Sequence, residues 1–118
     1  MNTLFLQYVK CSTCIKAKKW LEANNIAFEA RPIVEQPPTE QELREWVVKS
    51  GLPLKKFFNT SGLVYKSLQL KDKLPQMSED EQYRLLASDG KLVKRPLIVQ
   101  GELVLVGFSP EQWKQLKK

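Results

Sequence analysis

A Cys-x-x-Cys pair sits where a strand pattern gives way to a helix pattern, and that junction restricts the fold more than any other stretch of the chain. Residues Thr3 to Val9 (TLFLQYV) are rich in β-branched and aromatic side chains and predict a buried first strand. Lys10, Cys11, Ser12 and Thr13 follow as a short polar loop. From Cys14 the spacing of Cys14, Ala17 and Leu21 predicts a helix, with Trp20 flanking its apolar face. Asn24-Asn25 ends it, because asparagine tolerates the left-handed backbone beyond a helix. Ile26 to Ile33 alternates apolar and polar residues and predicts a second strand, which Pro32 confines to an edge.

The middle of the chain is helical. Gln36-Pro37-Pro38 is a breaker, and Thr39-Glu40-Gln41-Glu42 is a capping box that opens a helix with Leu43, Trp46 and Val47 inward and Gly51 at its stop. Pro53 to Tyr65 reads as short helical pieces broken at Gly62, with Phe57 and Phe58 in the core. Ser78-Glu79-Asp80-Glu81 is a second capping box, and its helix carries Tyr83, Leu85 and Leu86. Leu97 to Gln100 and Leu103 to Val106 flank Gly101-Glu102 as a hairpin. Ser109-Pro110-Glu111-Gln112 then signals a last helix with Trp113 and Leu116 inward. The order β-α-β, helices, β-β-α predicts one α/β domain over residues 1–118: a four-stranded mixed sheet from residues 1–35 and 91–118, with an all-helical insert over 36–90.

Composition narrows the chemistry. The chain has 118 residues and no His, which removes histidine-based nucleophile activation and most transition-metal sites. Two cysteines cannot build a four-thiolate zinc site, so no metal site is expected. Lys and Arg outnumber Asp and Glu by 19 to 13, and this basic balance suits an acidic protein surface, a nucleic acid or an oxyanion without choosing among them. Met1 to Val9 lacks the basic leader and cleavage site of a signal peptide, and no apolar run is long enough to span a membrane. The expectation is a cytoplasmic protein, where a close cysteine pair is more often catalytic or sensing than structural.

The physical case for reactivity rests on position. A sulfur at a helix N-terminus faces unpaired amides and the positive end of the helix dipole, and Lys10 and Lys16 add positive charge nearby. A lowered pKa for Cys11 follows, which makes it the nucleophile. Cys14, one turn on, is placed to attack a mixed disulfide on Cys11 and close a Cys11–Cys14 disulfide. Ser12 and Thr13 complete the loop that holds the thiolate. Two other readings stay open: inert packing cysteines, and half of a metal site shared with carboxylates or a second chain. The strand-loop-helix context favours redox chemistry. Arg95-Pro96 is the second constellation. A cis bond at Pro96 would leave its backbone free to pair with an extended substrate, and Arg95 would then face the cysteine loop to steady a thiolate or grip an oxyanion. The lysines carry no recognisable nucleic-acid-binding motif, so direct sequence-specific nucleic-acid binding is not expected.

Over nearly its full length the chain resembles the glutaredoxin-coupled arsenate reductases and the Spx/MgsR-type regulators. The resemblance rests on Cys11-Ser12-Thr13-Cys14, on Lys16 to Leu21 (KAKKWL), on Leu54 to Gly62 (LKKFFNTSG) and on Lys94 to Val99 (KRPLIV). It implies a thioredoxin-like fold, no bound cofactor and an external thiol reductant, either glutathione/glutaredoxin or thioredoxin. It also implies a thiol/disulfide partner protein and, on the Spx side, the RNA polymerase α subunit. The arsenate reductases use one loop cysteine, matching Cys11, and three arginines around it. Of those only Arg95 has a counterpart here; Asn59 and Gly107 stand at the other two positions, and Ile15 replaces an arginine after the loop. A charge-assisted hydrogen bond contributes roughly 1.5–3 kcal/mol, so loss of two such partners predicts poor oxyanion capture. The sequence therefore leaves three functions: a thiol-disulfide oxidoreductase acting through Cys11, Cys14 and Arg95, a redox-sensing regulator built on the same pair, or a small domain with an unused pair.

Overall fold

The structure, a computed structural model, describes residues 2–118. Its elements are β1 (Thr3–Gln7), α1 (Ser12–Ala23), β2 (Glu29–Pro32), α2 (Glu40–Ser50), α3 (Leu63–Ser67), α4 (Leu70–Lys73), α5 (Glu79–Ser88), β3 (Leu97–Gln100), β4 (Leu103–Val106) and α6 (Pro110–Trp113). Short 3-10 turns at Leu54–Phe57, Leu74–Gln76 and Gly90–Leu92 join the helices. The sheet order is β2-β1-β3-β4. β1 pairs parallel to β2 and antiparallel to β3, and β3 pairs antiparallel to β4. This is the thioredoxin-like mixed sheet that the order of elements predicts.

Strand alternation divides the core into two. Leu4 and Leu6 of β1, Leu97 and Val99 of β3, and Val104 and Val106 of β4 face the layer that holds α2 and α5, with Trp46, Phe57, Phe58 and Leu86. Phe5, Ile98, Leu103 and Leu105 face the other way, onto Ala17 and Leu21 of α1 and Trp113 of α6. Phe5, Leu6, Leu97 and Ile98 are all fully buried, and each such side chain contributes roughly 1.5–3 kcal/mol on leaving water. An aromatic group closes the second layer: Trp20 meets Trp113 edge-on at 5.9 Å, and Phe108 meets Trp113 at 4.9 Å.

Both capping boxes form as read. The Thr39 hydroxyl accepts from the Glu42 amide at 3.1 Å, while the Glu42 carboxylate accepts from the Thr39 amide at 2.9 Å. Ser78 and Glu81 make the same reciprocal pair. Glu42 has a second duty. Arg31 of β2 grips its two oxygens at 2.8 and 2.9 Å, clamping α2 to the sheet edge. That hydrogen bond, with the Thr39 amide, holds the Glu42 carboxyl below its usual range against a partial burial cost.

Three boundaries differ from the sequence reading. α1 begins at Ser12 rather than Cys14, so Cys11 itself is the N-cap residue, with extended backbone (φ −91°, ψ 118°). β1 stops at Gln7, because the chain turns at once and the Cys11 amide donates to the Tyr8 carbonyl at 2.9 Å. β2 starts at Glu29; the Ile26 amide is taken by the Leu21 carbonyl at the end of α1. α6 is one short turn, and Ser109 makes no side-chain cap. Asn25 takes the left-handed backbone at φ 58°, as read. No helix among the described residues is long and apolar enough to cross a membrane.

Candidate active site

The site is built where β1 meets α1, beneath the segment that enters β3. As N-cap, Cys11 holds its sulfur at the mouth of the helix, half-buried, while Cys14 at the third helical position is fully buried. The two are free thiols. The Ile15 amide donates to the Cys11 carbonyl at 3.1 Å, which starts the helical ladder and fixes the loop.

The two sulfurs have opposite acidities. Partial burial works against the Cys11 thiolate. The Cys14 amide, the Cys14 thiol, the Thr13 amide and the charge of Arg95 together outweigh it and hold the Cys11 pKa below the ordinary thiol value of 9.0. No strict capping hydrogen bond closes on the sulfur; the helix-end dipoles act on it as a group. Burial is also the main influence on Cys14, and it pushes that thiol up to about 12. The Cys11 sulfur adds to the rise as acceptor and as neighbouring charge, while the Tyr8 amide, 3.5 Å from the Cys14 sulfur, and Arg95 partly oppose it. Of the two thiols, Cys11 is therefore the one that ionises first, and Cys14 keeps its proton through the neutral range.

Arg95 stands over the pair. Its guanidinium carbon lies 4.8 Å from the centre of the Tyr8 ring, and one terminal nitrogen donates to the Lys91 carbonyl at 3.4 Å. Its Nε is buried with no hydrogen-bond partner among the described residues. The Arg95–Pro96 bond is cis, and the Pro96 carbonyl accepts from the Gly107 amide at 2.8 Å. Arg95 and the Thr13 backbone amide thus act on the Cys11 sulfur, Arg95 also on Cys14, and Pro96 follows Arg95 through the cis bond. The side chains of Lys10, Ser12, Thr13 and Lys16 are exposed, and the cation whose charge reaches both sulfurs is Arg95. Tyr8 is the site residue that sequence reasoning missed. It reads as the end of a strand, and neither its amide nor its ring carries a local signal of a role beside residues so distant in sequence.

Asn59 and Gly107 stand at the two positions where the resemblance implies arginine. Gly107 has left-handed backbone at φ 77°, where a side chain costs of order 1 kcal/mol or more. Asn59 packs its side chain onto Gly62, whose added Cβ would meet Asn59 Nδ2 at 2.6 Å.

Arg95→Gln is expected to raise the Cys11 pKa, because the charge that reaches the sulfur is removed while the helix-end amides stay. The pH profile of Cys11 alkylation by iodoacetamide measures this; a wild-type profile inflecting at or above 9.0 would contradict the site as described. Cys14 should stay unreactive through the neutral range.

No group of His, Cys, Asp or Glu among the described residues is placed to hold a metal ion. The sequence model of the ArsC family matches residues 6–116. The protein YusI of Bacillus subtilis (strain 168) is 56% identical over 115 residues, covering 98% of each chain. The regulatory protein MgsR of the same organism is 29% identical over 114 residues, covering 97% of this chain and 89% of its own. A crystal structure described as a putative ArsC family related protein from Bacteroides fragilis superposes with a TM-score of 0.96 at 63% identity, covering 99% of this chain and 98% of that one. With the family pattern running from β1 through α6 and the fold shared over almost the whole length, the chain belongs to the ArsC family.

Proposed function

We propose that the protein is a thiol-disulfide oxidoreductase that works in the cytoplasm on the disulfide of a partner protein. The observation that carries this is the placing of the pair: Cys11 at the helix mouth, where the Cys14 and Thr13 amides and Arg95 lower its pKa, and Cys14 buried beneath it with its pKa raised to about 12. The Cys11 thiolate attacks one sulfur of the partner disulfide. A Cys11–partner S–S bond forms, the partner's own S–S bond breaks, and the leaving thiolate takes a proton from water. Cys11 is now neutral, so the charge that disfavoured ionisation of Cys14 is gone. Cys14 gives up its proton and attacks the Cys11 sulfur, forming the Cys11–Cys14 disulfide and releasing the second partner thiolate. Two electrons have passed to the partner. An external thiol reductant, glutathione with glutaredoxin or thioredoxin, returns the pair to dithiol by the reverse exchange. Arg95 steadies the thiolate throughout through its charge.

Arsenate fits this site poorly. One arginine faces the sulfur, and the positions of the other two hold Asn59 and Gly107. The test is a disulfide reductase assay of wild type and Cys14→Ser. Wild type turns over. Cys14→Ser stops after one half-reaction and accumulates a mixed disulfide on Cys11, visible as the added partner mass. A Cys14→Ser chain that turns over normally would overturn the role of Cys14, and brisk arsenate turnover by wild type would overturn the substrate class.

A second reading has its own support in the 29% identity to a protein named as regulatory. In it the same pair senses oxidants and alters docking on the RNA polymerase α subunit. Pull-down with the α C-terminal domain, comparing reduced and oxidised chain, decides it.

A further inference from the structure

Beside the cis-proline segment runs an open groove of about 560 Å³, lined by Leu52, Lys55, Lys56, Phe58, Lys94 and Val106. Its walls are held by backbone bonds: the Lys94 amide donates to the Phe57 carbonyl and the Asn59 amide to the Leu92 carbonyl, each at 2.7 Å. The groove is therefore preformed. Its floor is apolar, with Leu52 39% exposed, and its rim is basic. Lys55, Lys56 and Lys94 take part in none of the ion pairs among the described residues. No acidic side chain lines the groove. The surrounding stretch repeats the bias: between residues 50 and 73, lysines 55, 56, 66, 71 and 73 stand against a single acid, Asp72. Lys94 carries the groove up to the site, since it precedes Arg95 directly and its Cε lies 3.6 Å from where a Cβ on Gly107 would be.

We propose that this groove docks an extended acidic segment of the partner protein whose disulfide Cys11 attacks, a statement that rests on the oxidoreductase reading above. An extended chain alternates its side chains, so one set can lie on Leu52 and Val106 while carboxylates meet Lys55, Lys56 and Lys94. Charge complementarity selects an acidic occupant. A nucleic acid fits less well, because Phe58, the aromatic residue of the lining, is 2% exposed and offers no face for a base to stack on.

The experiment measures anisotropy of a fluorescein-labelled peptide of alternating Glu and Val against the full chain carrying Cys11→Ser. That variant removes the chemistry and leaves the groove. Binding should weaken as salt rises and fall on the order of tenfold or more in Lys55→Gln/Lys56→Gln/Lys94→Gln. The exposed double variant Lys55→Gln/Lys56→Gln, whose circular dichroism should match wild type, should lose part of the affinity while wild-type Cys11 on that background keeps its turnover of a small uncharged disulfide. Equal affinity in wild-type and lysine-substituted grooves, equal binding of a Lys/Val peptide, or tighter binding of a single-stranded oligonucleotide would each overturn the proposal. Because the binding arm contains no redox step, its failure alongside successful disulfide reduction removes the groove and leaves the oxidoreductase standing.

Discussion

A Cys11→Ser chain is expected to lose disulfide exchange by on the order of a thousandfold or more while folding at least as well as wild type. Two facts combine here. Serine has no thiolate to offer near neutral pH, and the sequence contains 0 His, so no imidazole can serve as base for a hydroxyl at this position. Position 11 is also the N-cap of α1, where serine is among the preferred residues. Its hydroxyl can accept from the first-turn amides and stabilise the helix by about 0.5–1 kcal/mol. Loss of turnover with an unchanged or raised melting temperature separates a chemical role from a structural one. A Cys11→Ser chain with measurable turnover would place the nucleophile elsewhere.

The largest structural effect is expected at Gly90. A Cβ there would lie 1.9 Å from the Ile33 carbonyl oxygen and 2.7 Å from its carbon. Both atoms are backbone, held where the chain leaves β2 with the Ile33 amide bonded to the Gln7 carbonyl at 2.8 Å. Neither can step aside without moving the sheet edge. Gly90→Ala should therefore cost about 3 kcal/mol or more and lower the melting temperature by roughly 10 °C. The damage should also reach the site. Gly90 opens the turn that places Leu92 and Val93 in the core and leads to Arg95, so the Cys11 pKa should drift toward its ordinary value. A calorimetric scan and the alkylation profile read the two effects; a melting temperature within error of wild type would show that the two segments separate easily.

Legibility in the sequence followed the range of the interaction. The boxes at Thr39 and Ser78 and the turn at Gly101 depend on neighbours a few residues away, and they form where they were read. Helix α1 starts two residues earlier than the apolar spacing predicts, because cysteine carries no capping signal, although the backbone at Cys11 is that of an N-cap. Ile26 and Phe28 alternate like a strand, yet they pack against the far end of α1 and lie outside the ladder. The cysteine pair and Arg95 were legible as chemistry. The Tyr8 ring beneath Arg95 and the grip of Arg31 on Glu42 were not, because each joins segments whose meeting is decided by the sheet.

That sheet sets a timetable for a chain leaving the ribosome. β1 takes β3 as its antiparallel neighbour, and Thr3 and Gln100, ninety-seven residues apart, share a side-chain hydrogen bond at 2.7 Å. Contacts of such range form late, after loop closure has been met. Until β3 has emerged, Arg95 is absent from the cysteine loop and burial of Cys14 is incomplete. In a nascent chain the amides at the start of α1 can already act on Cys11, and the charge of Arg95 and the burial that raises Cys14 are added only when β3 docks.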